Sequence, residues 1–469
     1  MVKIYSFPEK EEQSTEFKVK INGENTACYK ARVSAEPFNQ VWPGYQRPIE
    51  QTELTSFVSL GADEPVKLEV ECEYDTKNVC VKPFSKNVKV NADGNKCTLE
   101  LPGVGQYVLE YGSRHKVLYI FVNPVKDFGV DENDPDVIYF GKGTHYIDAP
   151  INLKDNQTLY IDEGAVLYGS VETSDAKNVR ILGYGILDNS LFERGKGDPV
   201  KFNHCENVYV EGITVRDSSV WTMHMSGCNN CIVDNIKFIG MWRYNSDGCD
   251  FTNSTNCVLR NSFLRNYDDC IVVKGLFPNT HLNVQNIFVE NCVIWCDWGR
   301  NIEIGAETCA DTIDMITFRN CDIIHITHIP LDVQHGDRAV ITNVLFDDIR
   351  IEYDDEYEKG KLQTFKGEVY DHKKMDGIPV IACVNTSRTM YSKDDHTGSV
   401  SGVTFKDIKA VNTHGKVPGF SIGEIGGNGV VSDVNIINFT VDGKKMNSLS
   451  EARVGITTGD APEKYASIK

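Results

Sequence analysis

The chain has no uncharged apolar run of about 18 residues, so no helical membrane span is expected. Its opening, "MVKIYSFPEKEEQ", lacks the apolar core of a signal peptide. Positive charge is scarce: 48 Lys and Arg against 67 Asp and Glu leave a net charge of −19. That balance argues against nucleic acid and anionic membranes as partners, since both would be repelled. Neither of the two aspartate-bearing stretches, 245–251 and 266–274, resembles a phosphate loop, a zinc site or a nucleophile elbow. The lone C-x-x-C, Cys228-Asn-Asn-Cys231, has no second pair at matched spacing, so no zinc site is expected. Neither a metal nor a cofactor is implied.

Cysteine itself is plentiful, yet 15 is an odd number for a disulfide framework. Most cysteines sit in apolar runs such as "TNCVL" and "NNCIV", where they read as small buried hydrophobes. That usage suits a reducing compartment. With the missing leader it gives a cytoplasmic location as the expectation.

At 469 residues, two domains are expected. Residues 1–125 contain short period-two segments, "EFKVKING", "VKLEVECEY" and "KVLYIFVNP" among them, split by turn signals such as "ADGN". They predict an antiparallel β-sandwich. Residues 126–150 are the expected linker and cap, 151–445 the second domain, and 446–469 a C-terminal tail.

The second domain carries an internal repeat. Blocks such as "VYVEGITV", "VLRNSFLR" and "TFRNCDII" place Gly, Asn or Asp at 183, 212, 235, 261, 291, 320, 348, 407 and 438. All but one of the gaps lie between 23 and 31 residues, and the blocks show β-branched alternation instead of helical periodicity. Short strands with a turn residue at a fixed place predict an all-β, right-handed parallel β-helix. The exceptional gap, of 59 residues, holds a polar insertion at about 352–398 that serves as a lid or a subunit contact. Through it, or through the N-terminal domain, a homo-oligomer remains open.

Two stretches carry the chemistry: "NSDGCDF" at 245–251 and "NYDDCIVVK" at 266–274. Asp247 and Asp268 are 21 residues apart, about one short coil, so Asp247 and the Asp268/Asp269 pair fall on neighbouring rungs. Carboxylates so close cannot all stay ionised cheaply, and at least one pKa should rise. A protonated carboxyl beside an ionised one is the machinery for glycosidic hydrolysis. Calcium binding in a lyase and an Asp turn ladder without function remain open at this point.

"NSDGCD" followed by "NYDDCIVVK" resembles the signatures of glycoside hydrolase family 28, the polygalacturonases, and of its clan relatives of dextranase and isopullulanase type. The resemblance is strong over roughly 200–335 and only architectural elsewhere. It implies a parallel β-helix that hydrolyses with inversion. Carried over residue by residue, it places the general acid on Asp268 and the water-activating carboxylates on Asp247 and Asp269. Asn245 and Asp250 match positions that shape the site, and Cys270 matches a core cysteine.

The departures matter as much. Arg300, in "GRNIEIG", stands where the family has a histidine, and Asp332, in "PLDVQ", stands where cations hold a uronate. A pocket with Glu303 and Asp332 should repel galacturonate and suit sugar hydroxyls. Further substrate-binding candidates are His224, Lys274, Trp298 and Arg300. The favoured function is therefore an inverting hydrolase of a neutral, α-linked oligosaccharide or polysaccharide. The alternatives are a galacturonate-cleaving hydrolase that uses Arg300, a calcium-dependent β-helical lyase, and a non-catalytic carbohydrate-binding solenoid.

Overall fold

The computed structural model describes residues 1–35, 49–354, 358–359, 373–374 and 377–469. Of the insertion expected at about 352–398, residues 355–357, 360–372 and 375–376 lie outside the described residues. From residue 137 onward three parallel sheets of 14, 12 and 10 strands wind around one core, a right-handed parallel β-helix.

Like residues stack on like, which is why the repeat folds this way. On the first sheet Val208, Cys231, Cys257, Ile287, Ile316 and Val344 are register partners from rung to rung, and all are buried. Beside them Phe318, Phe346 and Phe405 stack with ring centroids 5.1 and 4.9 Å apart. All 15 cysteines are free thiols and nearly all are buried, as small apolar filler would be.

All nine repeat positions have left-handed backbone, with φ between 51° and 120°. That explains Gly, Asn and Asp there. At Gly183 a Cβ would lie 2.0 Å from the Ile161 carbonyl oxygen, so only glycine fits. Where Asn occupies the place, the amides bond rung to rung: Asn291 donates to Asn261 at 3.2 Å and Asn320 to Asn291 at 2.6 Å. A second ladder, unnoticed in the sequence, runs through Asn156, Asn178, Asn207 and Asn230 with bonds of 2.9, 2.9 and 2.6 Å.

Two boundaries move. Val137–Phe140 and Gly143–Tyr146 already pair with the next coil, so the helix starts before 151. Val454–Ile456 and Ala466–Ile468 pair with earlier rungs, so 446–469 is the last coil and not a tail.

The N-terminal unit is a ten-stranded sheet whose two halves close on one apolar core. Strand Lys96–Leu101 alternates exposed and buried residues, the period-two pattern read from the sequence. The unit is not wholly antiparallel, because Val117–Asn123 runs parallel to Thr52–Ala62. A third apolar cluster joins the two units: Tyr29, Phe57, Tyr119 and Phe121 pack on Ile239, Phe263 and Trp295 of the second sheet. The N-terminal unit thus covers the second sheet.

Candidate active site

On the third sheet, Cys249–Thr252, Ile271–Gly275, Ile302–Thr308 and Leu331–His335 are consecutive rungs. Just before these strands the backbone is equally in step. The Gly248 N–H donates to the Asp269 carbonyl at 2.8 Å, and the Cys270 N–H donates to the Arg300 carbonyl at 2.8 Å. Asp247, Asp269 and Arg300 therefore hold the same place on successive turns, with Asp268 beside them. The neighbouring-rung expectation holds.

Asp247, Asp268 and Asp269 open onto one cavity of about 150 Å³, whose walls include Trp221, Trp298 and Arg300. Five acidic residues line it against two cationic ones. Each cation is already engaged. Lys274 Nζ lies 3.2 Å from Asp247 Oδ2, 3.6 Å from Asp250 and 3.8 Å from Glu307, above the Trp221 ring. Arg300 bonds Asp332 at 3.2 Å and Gln334 at 3.1 Å and lies 3.9 Å from both Asp269 and Glu303.

This surrounding splits the three carboxyls. Burial, then the charges of Asp247 and Asp269, push Asp268 well up. Burial also raises Asp247, to about 7, against the pull of Lys274. At Asp269 burial is outweighed by the Arg300 guanidinium, the neighbouring Glu303 carboxyl, Lys274 and the Arg300 N–H at 2.6 Å, so its pKa falls below the ordinary value. Glu303 is raised by burial and by the charge of Asp269. One carboxyl kept protonated beside one kept ionised is an acid/base arrangement.

The substrate-binding candidates divide. Asn245, Lys274, Trp298, Arg300 and Glu303 line the cavity. Trp298 lies parallel to Tyr267, with centroids 5.7 Å apart. Asp250 is off the wall: fully buried, it lies beneath Lys274. Asp332, only 2% exposed, sits behind Arg300. His224 bonds Thr252 at 2.9 Å and flanks Trp221, outside the cavity. These three lie outside the cavity lining. Trp295 is fully buried against the N-terminal unit, and Trp242 is buried with its N–H on Asp217. The sequence reading missed Glu307, Gln334, Thr389 and Tyr391. Glu307 stands four places after Glu303 on an even register, a signal that could have found it. Nothing in the spacing marks the other three.

Two other features carry no such chemistry. A larger cavity, about 580 Å³, lies where the N-terminal unit meets the Asn ladder. Its acids are already paired within the protein: Glu211 with Lys126, Asp234 with Arg260, Asp322 with Arg350. The cluster of Cys309, Asp337 and Asp394 includes an arginine partner, Arg338 at 3.0 Å from Asp394, and Asp337 already accepts three backbone N–H groups.

A right-handed parallel β-helix thus carries three clustered aspartates at its third sheet. Residues 188–364, which hold all three aspartates, match the sequence model of Glycosyl hydrolases family 28. The chain is 23% identical over 294 residues to a protein of Neosartorya fischeri named "Probable endopolygalacturonase D", covering 59% of this chain and 57% of that one. It is 29% identical over 178 residues to "Probable polygalacturonase At3g15720" of Arabidopsis thaliana, 36% of this chain and 34% of that one. The chain thus spans less than two thirds of either relative. Among solved structures, Dex49A from Penicillium minioluteum superposes over 100% of this chain and 96% of its own, with a TM-score of 0.67 at 13% identity. The fold is therefore shared from end to end, N-terminal unit included. The resemblance read from the two aspartate motifs stands.

Proposed function

We propose that the chain is an inverting glycoside hydrolase acting on a neutral, α-linked glycan or oligosaccharide. The three aspartates gathered on one cavity carry this reading, with the pKa of Asp268 pushed up and that of Asp269 drawn down. Asp268 gives its proton to the glycosidic oxygen as the bond to the anomeric carbon breaks. A water attacks that carbon from the opposite face and yields its proton to Asp269 or Asp247. Exchange with solvent then restores both groups.

Neutrality of the substrate rests on the commitment of the cations. A uronate needs an arginine or lysine to hold its carboxylate. Arg300 already serves Asp332, Asp269 and Glu303, while Lys274 serves Asp247, Asp250 and Glu307. The second reading, hydrolysis of a galacturonate chain, is favoured by the names of the relatives.

Reducing-sugar release from neutral glucans, galactans, fructans and short oligosaccharides, with polygalacturonate alongside and chelator present, separates these readings. Release from a neutral glycan that is lost in Asp268→Asn supports the proposal. Release from polygalacturonate alone supports the second reading. Unsaturated, ultraviolet-absorbing products that require calcium would replace both with a lyase.

A further inference from the structure

Lys274, a buried cation on the cavity wall, has no step of its own in the hydrolase mechanism. Lys274 is 5% exposed, and its ammonium is enclosed by Asp247, Asp250, Glu307 and the Trp221 ring. Its contacts treat the two oxygens of Asp247 differently. Oδ2 lies 3.2 Å from Nζ. Oδ1 is buried and accepts no hydrogen bond from the described residues. A buried carboxylate oxygen without a donor is costly, and Asp247 lines the cavity.

The groups that bear on Asp247 come from four rungs. Trp221 is on the preceding turn, and Asp250 is on its own strand. Asp268, Asp269 and Lys274 come from the next turn, and Glu307 from the one after. Every ionisable group in that set except Lys274 is an acid, so the lysine alone favours a charged Asp247.

We propose that Lys274 is a positioning residue that acts through Asp247. It fixes Oδ2 and keeps the carboxylate charged, leaving Oδ1 as the oxygen that takes the proton from the attacking water. The proposal rests on the hydrolase reading above. Its atoms balance: the water's hydroxyl joins the anomeric carbon, and its proton joins Oδ1. The lysine neither gains nor loses a proton. Asp250, without hydrogen bonds and 3.6 Å from Nζ, holds the ammonium from below.

The test is a pH–rate profile of kcat/KM for wild type, Lys274→Met and Lys274→Arg on the glycan that the substrate panel identifies. The acidic limb reports the group that must be ionised. In Lys274→Met it should move upward by about one pH unit, roughly a tenfold loss on that limb, and Lys274→Arg should restore most of it. A loss that is uniform across pH, with the limb unmoved, would overturn the proposal.

A second measurement stays informative without turnover. Protein labelled with ¹³C at the aspartate carboxyls is titrated by NMR with and without Lys274, and Asp247→Asn assigns the signal. The Asp247 midpoint should rise when the lysine is lost; an unchanged midpoint would overturn the proposal. If wild type cleaves nothing while this midpoint moves, the hydrolase reading fails and the Lys274–Asp247 coupling stands.

Discussion

Gly299→Ala is the smallest change that should disable the site. A Cβ at Gly299 would lie 2.4 Å from Asp269 Oδ1, 2.6 Å from the Asp269 backbone nitrogen and 2.7 Å from Asp268 Oδ1. Two of these are carboxyl oxygens that could swing aside, but the nitrogen is backbone and the rung itself must move. Overpacking of this kind costs about 1–3 kcal/mol. The functional cost should be larger, because displacing reacting groups by about 1 Å costs on the order of 100-fold in rate. Both aspartates are struck by the same methyl group. The assay is kcat on the identified glycan together with a urea unfolding curve. Gly455→Ala, on the same sheet, is the control, since its Cβ would meet only the Phe420 carbonyl oxygen at 3.6 Å. The expected result is a roughly 100-fold fall in kcat with the fold retained, and no change in the control. Wild-type kcat in Gly299→Ala would refute the placement of the two carboxyls against this glycine.

Other outcomes follow from the same geometry. Asp247 is held up to about 7 by burial, so the folded chain binds its proton more tightly than the unfolded chain does. That contribution is fully present below the ordinary aspartate pKa and is lost as pH rises through about 7. Asp247→Asn should therefore raise the urea midpoint more at pH 8 than at pH 5. Arg300→Met leaves Asp269 and Asp332 buried without their cation; a loss of about 3–5 kcal/mol is expected, with an upward shift of the acidic limb of kcat/KM. Unchanged stability and an unmoved limb would show that Arg300 is spare and free to bind a uronate. Trp298→Ala removes a ring on the cavity wall and should raise KM about tenfold, near the upper end of an aromatic contact's worth, with little effect on kcat.

The three-aspartate group was legible because two periods coincide. A coil length of some two dozen residues, read from the Gly, Asn and Asp positions, converts the interval between Asp247 and Asp268 into neighbourhood. The structure repeats that in the Gly248–Asp269 hydrogen bond. Those turn residues are local: each needs left-handed backbone at its own place, so the sequence shows it directly. What was not legible is where side chains go once the coil is built. Asp250 and Asp332 were set at the site by resemblance and His224 by its place one coil before Asp247, and the three do share one register. Depth depends on neighbours from other rungs, however, and Lys274 and Arg300 cover two of the three. Tyr391 and Thr389 reach the cavity from within the stretch read as an insertion at about 352–398, a long-range placement that no periodicity records. The outer coils were misjudged because cap strands pair on one side only and lack the full repeat.

The central claim is that Asp268 is the proton donor to the leaving oxygen. It is tested most directly by leaving-group dependence. Asp268→Asn and Asp269→Asn are compared with wild type on the natural linkage and on the matching dinitrophenyl glycoside, whose departure needs no proton. The account predicts that Asp268→Asn loses the natural linkage yet keeps near-normal cleavage of the dinitrophenyl glycoside, while Asp269→Asn loses both. Equal loss on both substrates in Asp268→Asn would contradict it.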